Sequence, residues 1–311
     1  QAPMTTNAIQ SSHIYSTYFA PRGRSRIYTL GMQIAQLYLS PFDQIIGFIG
    51  EAGSGKSVLI KGMFPGIELT NDDDGVNVRP LPLLEQEYET GFFTPHTYHL
   101  DIRFETGFHQ LSELADAVRL AVRRGKRIII EHFDLIYPLL GVNANLLIGV
   151  GEQIVITRPN LFGPLPQDLC DIVYPSLAYR LMAHSAEDLC EYAMTQEQML
   201  ACSHGDIRHG FVLEFNEHQP DIDIPALEAR VNELIRADLP IDYYDESHIL
   251  LGGVQHYCTG PRTHVRSTGR IIGFRLLDHF IYDHFHKTYM LVGCVGDDSE
   301  ENIRKLEKIH G

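Results

Sequence analysis

Basic residues are scarce in this chain: 25 Lys and Arg face 40 Asp and Glu, a formal net charge of −15. A field of that sign repels a phosphate backbone, so a large nucleic-acid footprint would need a local basic patch that overrides it. The densest basic cluster is Arg123, Arg124, Lys126 and Arg127, which disfavours tRNA as a partner. Long apolar runs are also missing. None approaches the roughly 18 residues of a membrane span, so no membrane partner is expected. Cysteine is sparse and odd in number. Cys170, Cys190, Cys202, Cys258 and Cys294 are scattered, which argues for a reducing compartment and against a disulfide framework. The opening segment, QAPMTTNAIQSS, has neither the charged nor the apolar region of a signal peptide. The expected location is the cytoplasm. Internal repeats and low-complexity tracts are absent as well.

What is present is ordinary globular material: 311 residues, 44% apolar and 21% charged, enough for two domains with separate cores. The spacing from Ile27 to Leu39 predicts a helix stopped by Pro41. The apolar run Gln44–Ile49 predicts a buried strand, and SVLIKGMF a helix after it. Residues 65–105, rich in Gly, Pro and Asp, read as loop with short strands. Leu111, Leu114, Ala115, Val118 and Val122 share a helical face before Gly125, and RIIIEHFDL (Arg127–Leu135) reads as a second buried strand. A third strand is expected at Gln153–Thr157. Strand–loop–helix followed by helix–strand implies an α/β domain with a parallel sheet. The second half predicts helices at Ser185–Tyr192 and Pro225–Leu239, a strand at Gly210–Phe215, and β-like runs near His256–Cys258, Arg270–Leu276 and Tyr289–Val295. This half reads as α+β with an antiparallel sheet. The expected division is an N-terminal extension with its lead-in helix at 1–43, a nucleotide-binding domain at 44–165, and a second domain at 166–311.

The strongest chemical signal is GEAGSGKS, which fits G-x-x-x-x-G-K-[ST] between an apolar strand and an apolar helix. Such a loop turns backbone N–H groups inward around phosphate oxygens. The binding residues are Gly50, Glu51, Ala52, Gly53, Ser54, Gly55, Lys56, Ser57 and Val58. Lys56 supplies charge to the outer phosphates and Ser57 a hydroxyl to Mg2+, so ATP and Mg2+ are the expected cofactors. A loop of this kind needs a carboxylate near the metal, and Glu131 and Asp134 at the polar end of RIIIEHFD are the candidates. Asp72, Asp73 and Asp74 follow the first helix, and Asp73 is placed to orient or deprotonate an acceptor hydroxyl. Arg158 and the arginines near residue 123 are candidates for neutralising a transferred phosphate. A paired-His metal site at His96, His99 and Asp101 is a further option, weighed against plain polar strand residues.

IIGFIGEAGSGKS, the acidic turn and IIIEHFDLIYP together resemble the uridine-kinase-like branch of P-loop kinases, over about residues 44–160. The resemblance implies phosphate transfer to a small, nucleoside-like hydroxyl acceptor, with Asp72 to Asp74 near that acceptor.

In the second half, CTGPRTHVRSTGRIIGFRL (Cys258–Leu276) resembles the signature of the second additional domain of threonyl- and alanyl-tRNA synthetases, roughly C-x-G-P-H-V-x-x-T-G-x-I-x-x-F-K-L. AHSAEDLCEYA, GDIRHGFVLEF, ALEARVNELIRADLPI and YMLVGCV are similar to that family's other blocks and stand in the same order. In that family an H-x-x-x-H helix and a C-x-x-x-H turn converge on one site, which holds zinc in some members and hydrolyses misacylated tRNA in others. Carried over, the positions are His184, Asp188, Cys258 and His264. Asp188 stands where the family has a second His, and two residues are inserted before His264. A carboxylate is a legitimate zinc ligand; the insertion leaves the direction of His264 open. His209 and His256 read as core histidines.

Three whole-chain readings follow. The first is a kinase using Mg-ATP, with the second domain selecting the acceptor. The second is a nucleotide-gated binding module without catalysis. The third is a free-standing hydrolase of mischarged aminoacyl-tRNA.

Overall fold

The computed structural model describes residues 15–70 and 97–311. Asp72, Asp73, Asp74 and His96 lie outside the described residues. The chain divides into two compact units: Gln1–Ala20 with Arg24–Pro175, and Pro21–Gly23 with Ser176–Gly311.

The first unit is built on a six-stranded sheet with the order β1-β6-β5-β2-β4-β3. The strands are β1 (Tyr15–Phe19), β2 (Ile45–Ile49), β3 (Thr97–Asp101), β4 (Arg127–Glu131), β5 (Leu146–Val150) and β6 (Gln153–Thr157). β2 pairs in parallel with β4 and β5, and β3 in parallel with β4. The sheet is mixed and mostly parallel, where a parallel one was expected. β6 runs antiparallel to β5 because the two are joined by Gly151 and Glu152 alone, and a two-residue connection can only reverse the chain; β1 in turn pairs antiparallel to β6. The parallel strands β2 (IIGFI), β5 (LLIGV) and the centre of β4 (RIIIE) are apolar runs, as strands covered on both faces must be.

Alternation along those strands feeds two cores. Ile46, Phe48, Ile129 and Ile148 pack with Ile27, Ile34, Leu59 and Ile60, from the helices α1 (Arg24–Tyr38) and α2 (Lys56–Met63). Ile45, Ile49, Ile128 and Ile130 pack with Leu114, Val118, Phe133 and Ile136, from α4 (Leu111–Arg123) and α5 (Phe133–Leu140). The short helix α3 (Ile102–Glu105) continues β3, with Asp101 capping it by accepting from the Phe104 amide.

The next helix, α6 (Pro166–Ala193), has 28 residues. Leu169, Cys170 and Val173 join the first unit's core, and Ala186, Leu189 and Cys190 that of the second. The remaining helices are α7 (Gln196–Ala201), α8 (Ile224–Arg236) and α9 (Ser299–His310).

The second unit is α+β with antiparallel sheets. One has the order β12-β14-β8-β7 with β13 added on β14, and the other is β11-β10-β9. These strands are β7 (Cys202–Ile207), β8 (Gly210–Asn216), β9 (Ile241–Asp245), β10 (His248–Leu251), β11 (Val254–Tyr257), β12 (Arg275–Leu276), β13 (Ile281–Asp283) and β14 (Thr288–Cys294). Phe211, Leu213 and Phe215 of β8 pack against Leu227, Val231 and Leu234 of α8 and the apolar residues of α6. Among the described residues, no helix is long and apolar enough to cross a membrane.

Candidate functional site

In the first unit, chemistry collects where the parallel strands end. The loop from Gly50 to Gly55 leaves β2 and turns into α2, so the first amides of that helix point back over the sheet edge. Gly55 holds the turn with φ of 97°, and a Cβ there would meet Ile27 Cδ1 at 3.1 Å. Any other residue would be strained by backbone and neighbour together. The Ser54 amide donates to the Glu51 carbonyl, and Lys56 Nζ donates to the same carbonyl at 2.7 Å. Ser54, Lys56 and Ser57 are each 1% exposed, so the loop folds its polar groups inward rather than into solvent. Glu51 and Ala52 form the outer rim, and Glu51 pairs with Arg103 at 3.6 Å. Val58 lies on the first turn of α2, partly buried against the core.

Register places Glu131 of β4 opposite Phe48 of β2 and Asp101 of β3, so both carboxylates share an edge with the loop. Glu131 is 1% exposed, with Oε1 4.0 Å from Lys56 Nζ. Its Oε2 accepts from His99 Nε2 at 2.6 Å. The tautomer follows from the other side of the ring, since the Thr70 amide donates to His99 Nδ1 at 3.1 Å. Nδ1 is therefore the acceptor and Nε2 carries the proton. His99 is a positioning group for Glu131, a role its sequence setting did not reveal. His99 and Asp101 are buried with these protein partners, and no group of metal-ligand type includes them among the described residues.

Two further groups at this edge escaped the sequence reading. Glu105 is completely buried, and neither carboxylate oxygen has a hydrogen-bond partner among the described residues. Burial, with the nearby Asp101 charge, pushes its pKa from 4.5 up to about 7. His132 sits just after Glu131 with φ of 55°. Burial, then the Lys56 charge, holds its imidazole below the usual range. Asp134 does not join Glu131. It faces Cys170, whose thiol is pushed up to about 12 by burial and then by that carboxylate.

The arginine candidates for phosphate are corrected by the topology. Arg158 forms a bidentate pair with Asp43, at 2.6 and 3.0 Å, and donates to the Tyr38 carbonyl. Arg127 donates to the Asp43 and Ser40 carbonyls. Asp43 precedes β2 and Arg127 begins β4, so both arginines belong to the edge where the strands start. At roughly 3.3 Å per residue, a strand such as β4 puts some 13 Å between its ends. Arg123 and Arg124 close α4 at that same starting edge. Arg127 and Arg158 thus staple loops at that edge, and none of the four lies at the edge of the glycine-rich loop.

In the second unit, His184, Asp188, Cys258 and His264 each present a ligand-type atom within 4.8 Å of the others. Spacing of four on α6 puts His184 and Asp188 on one face. Cys258 follows β11, and the two extra residues before His264 are taken up by a turn. There the Thr263 amide and hydroxyl donate to the Gly260 carbonyl at 3.2 and 2.9 Å. The turn brings His264 back to the group. Gly260 is needed at that turn, because a Cβ would lie 2.7 Å from His184 Cε1. Its amide donates to Cys258 Sγ at 3.3 Å.

The hydrogen bonds orient the donors inward. His184 Nδ1 donates to the Thr263 carbonyl at 2.9 Å, and His264 Nδ1 to the Pro261 carbonyl at 3.3 Å. A carbonyl only accepts, so each ring carries a proton on Nδ1 and turns its Nε2 toward Cys258 Sγ, 3.9 and 3.7 Å away. His264 Nε2 also touches Asp188 Oδ2. Nitrogen, sulfur and oxygen atoms converging on one point, each ring held from behind by a carbonyl, are a donor set that fits a tetrahedral ion. Burial works against the Asp188 charge, but the hydrogen bond and charge of His264, with His184 and Arg22, hold that carboxyl below its usual range. Burial holds His184 well below the ordinary imidazole range.

Sequence reasoning missed Arg22, Glu187 and Glu191 here. Arg22 is 8% exposed and paired with Glu187. The signal was available: His184, Glu187, Asp188 and Glu191 fall at i, i+3, i+4 and i+7, the spacing of a buried helical stripe occupied by polar residues. His256 forms a second group with Asp188 and Glu191. His209 instead stacks on Tyr179 at 3.6 Å and binds Asp298 Oδ2 at 2.8 Å. No family model matches this chain, and no curated protein matches it.

Proposed function

We propose that the first unit is an ATP-dependent phosphotransferase acting on a small hydroxyl compound of nucleoside type. The observation that carries this reading is Lys56: a lysine on a glycine-rich strand-to-helix turn, buried, with its ammonium 4.0 Å from Glu131 at the C-terminal ends of parallel strands. Open α/β sheets bind ligands at those ends, and helix N-termini favour phosphate. In this reading the loop amides and Lys56 hold the β- and γ-phosphates, while Glu131, oriented by His99, and Ser57 hold Mg2+. The ion, when bound, neutralises charge on the phosphate oxygens. The acceptor oxygen bonds to the γ-phosphorus as its bond to the bridging oxygen breaks, ADP leaves, and the hydroxyl proton passes to a carboxylate, the part given to Asp73.

The second unit, in the same proposal, holds an ion of the zinc class through His184, Asp188, Cys258 and His264. The support is the donor set and the two carbonyl-held imidazoles.

The test is ADP formation from Mg-ATP against nucleosides, nucleotides, sugars and amino acids, with Lys56→Ala as control. Acceptor-stimulated ADP that disappears in the variant supports the kinase and names the substrate class. Flat, acceptor-independent ADP refutes it; tight ATP binding alongside would then favour a nucleotide-gated module.

One observation favours a second reading. Two carbonyl-oriented imidazoles, a thiol and a carboxylate on one point suit metal-assisted hydrolysis of an aminoacyl ester. Deacylation of Ser- or Gly-charged tRNA that is lost in Cys258→Ala would support it; no deacylation would exclude it. The chain's acidic charge argues against this substrate.

A further inference from the structure

We propose that Glu191, Cys202 and His204, completed by Glu187, form a second site for a divalent transition ion of the zinc class, with ligands different from those around Cys258. Two independent periodicities build it. Glu187 and Glu191 are four apart on α6 and therefore share a helical face. Cys202 and His204 are two apart on β7 and therefore share a sheet face, with Cys202 opposite Phe215 and His204 opposite Leu213 of β8. The two faces meet. Glu191, Cys202 and His204 offer a carboxylate oxygen, a thiol and an imidazole nitrogen, all within 4.8 Å of one another. His204 Nε2 touches Glu191 Oε1 and lies 3.6 Å from Glu187 Oε1.

Glu187 supplies the observation that points to a ligand. Its side chain is 1% exposed and its Oε2 is taken by Arg22, yet Oε1 has no hydrogen-bond partner among the described residues. A buried carboxylate oxygen without a hydrogen bond is costly unless a cation shares it. Charge on the stripe points the same way. Glu187, Asp188 and Glu191 are 1%, 3% and 5% exposed, and Arg22 is the one buried guanidinium beside them. Three buried carboxyl groups thus crowd beside one buried guanidinium among the described residues.

A protonated His204 between the two glutamates would offset part of that charge, but it gives Cys202 no role. Among the described residues the Cys202 thiol donates to the Met199 carbonyl, at 3.2 Å. Thiolate and imidazole among the donors select a zinc-class ion over Mg2+ or Ca2+, and one sulfur, one nitrogen and two oxygens complete a tetrahedron. His204 retains 24% side-chain exposure, which leaves an entry path.

The proposal does not rest on the nucleotide reading: Lys56-dependent ADP formation can fail while this site stands. The experiment uses the full chain without a polyhistidine tag, stripped with a chelator, reloaded with zinc and assayed by elemental analysis. Wild type is expected to hold two zinc ions per chain, while Cys202→Ser and His204→Ala hold one. One ion in wild type, unchanged in both variants, would overturn the proposal. A measurement on unmodified protein covers misfolding of the variants. Alkylation is mapped by peptide mass spectrometry, and zinc is expected to slow labelling of Cys202 at least tenfold while leaving buried Cys170, Cys190 and Cys294 unchanged. Equal labelling of Cys202 with and without zinc, or protection only in step with those three, would count against the site.

Discussion

The two candidate sites are assembled by opposite means. In the first unit the chemistry belongs to the backbone: a contiguous loop, a helix N-terminus, and carboxylates delivered by the pleat to one sheet edge. In the second it belongs to side chains: a polar stripe on α6 met by residues from β7, the turn after β11, and the segment 21–23. A backbone site tolerates change at its side chains except where charge or φ is decisive. A side-chain site fails with the loss of any single ligand. Substitutions can test whether that contrast is real.

The largest effect is expected at Lys56. Replacing it with Ala removes the buried cation beside Glu131 at the sheet edge, and loss of such a preorganised charge costs on the order of 100- to 1,000-fold in turnover. Zinc content should stay at the wild-type value, as measured by elemental analysis on the sample used for ADP assays. If zinc fell with activity, the two regions would not be separable in the way their construction implies.

Cys258→Ser comes next and inverts that result. A hard hydroxyl replaces the soft ligand, so zinc affinity in competition with a chromophoric chelator should fall by at least ~100-fold, beyond the 10- to 100-fold cost of losing a supporting partner. Titration with ATP should be unchanged. A variant that kept its zinc would mean that the ion, if bound, does not use Cys258.

How much of this was legible in the sequence follows the same contrast. The loop needed only contiguous residues, and GEAGSGKS between two apolar runs gave its location and its neighbouring elements. Glu131 was legible because a buried strand ends on it. Its support by His99 was not, since residues 32 apart meet only through the parallel pairing of β3 with β4. Strand β5, the short apolar run LLIGV, was not predicted. With β5 unseen, the two-residue reversal that makes the sheet mixed was invisible as well. In the second unit His184, Asp188, Cys258 and His264 came from resemblance, whereas Glu187 and Glu191 could have come from periodicity alone. Polar residues at i, i+3, i+4 and i+7 are usually taken for a solvated face; only their burial at 1% to 5% exposure separates the two meanings. Arg22 lies more than 160 residues from Glu187 in sequence, and nothing local marks it.

A smaller effect is expected where the backbone site depends on conformation. Gly55→Ala forces an L-residue to φ of 97° against Ile27, a strain of roughly 1–2 kcal/mol. Some of it would be relieved by shifting the loop amides. Calorimetric titration should show ATP binding weakened by about tenfold, since 1.4 kcal/mol is a factor of ten, with zinc content unaffected. Unaltered ATP affinity would argue that the left-handed turn does not set the amide cradle.

The smallest effect concerns Glu105, which belongs to the first unit yet behaves like the buried side chains of the second. Its carboxyl titrates near 7 in the folded chain against 4.5 ordinarily, chiefly through burial and then through Asp101. The folded state thus binds the proton more tightly than the unfolded state does. The stability gained from the protonated form is fully present below about 4.5 and is lost as pH rises through about 7. Glu105→Gln mimics the neutral carboxyl at every pH. At pH 8 the variant should melt higher than wild type by ~3 °C, on the scale of 1 kcal/mol for a domain of this size. At pH 4.5 the two should melt together. Thermal melts across that range read the crossover directly. A wild-type carboxylate already neutralised by a bound cation would give the reverse order at pH 8, making the first unit, too, a site built on side chains.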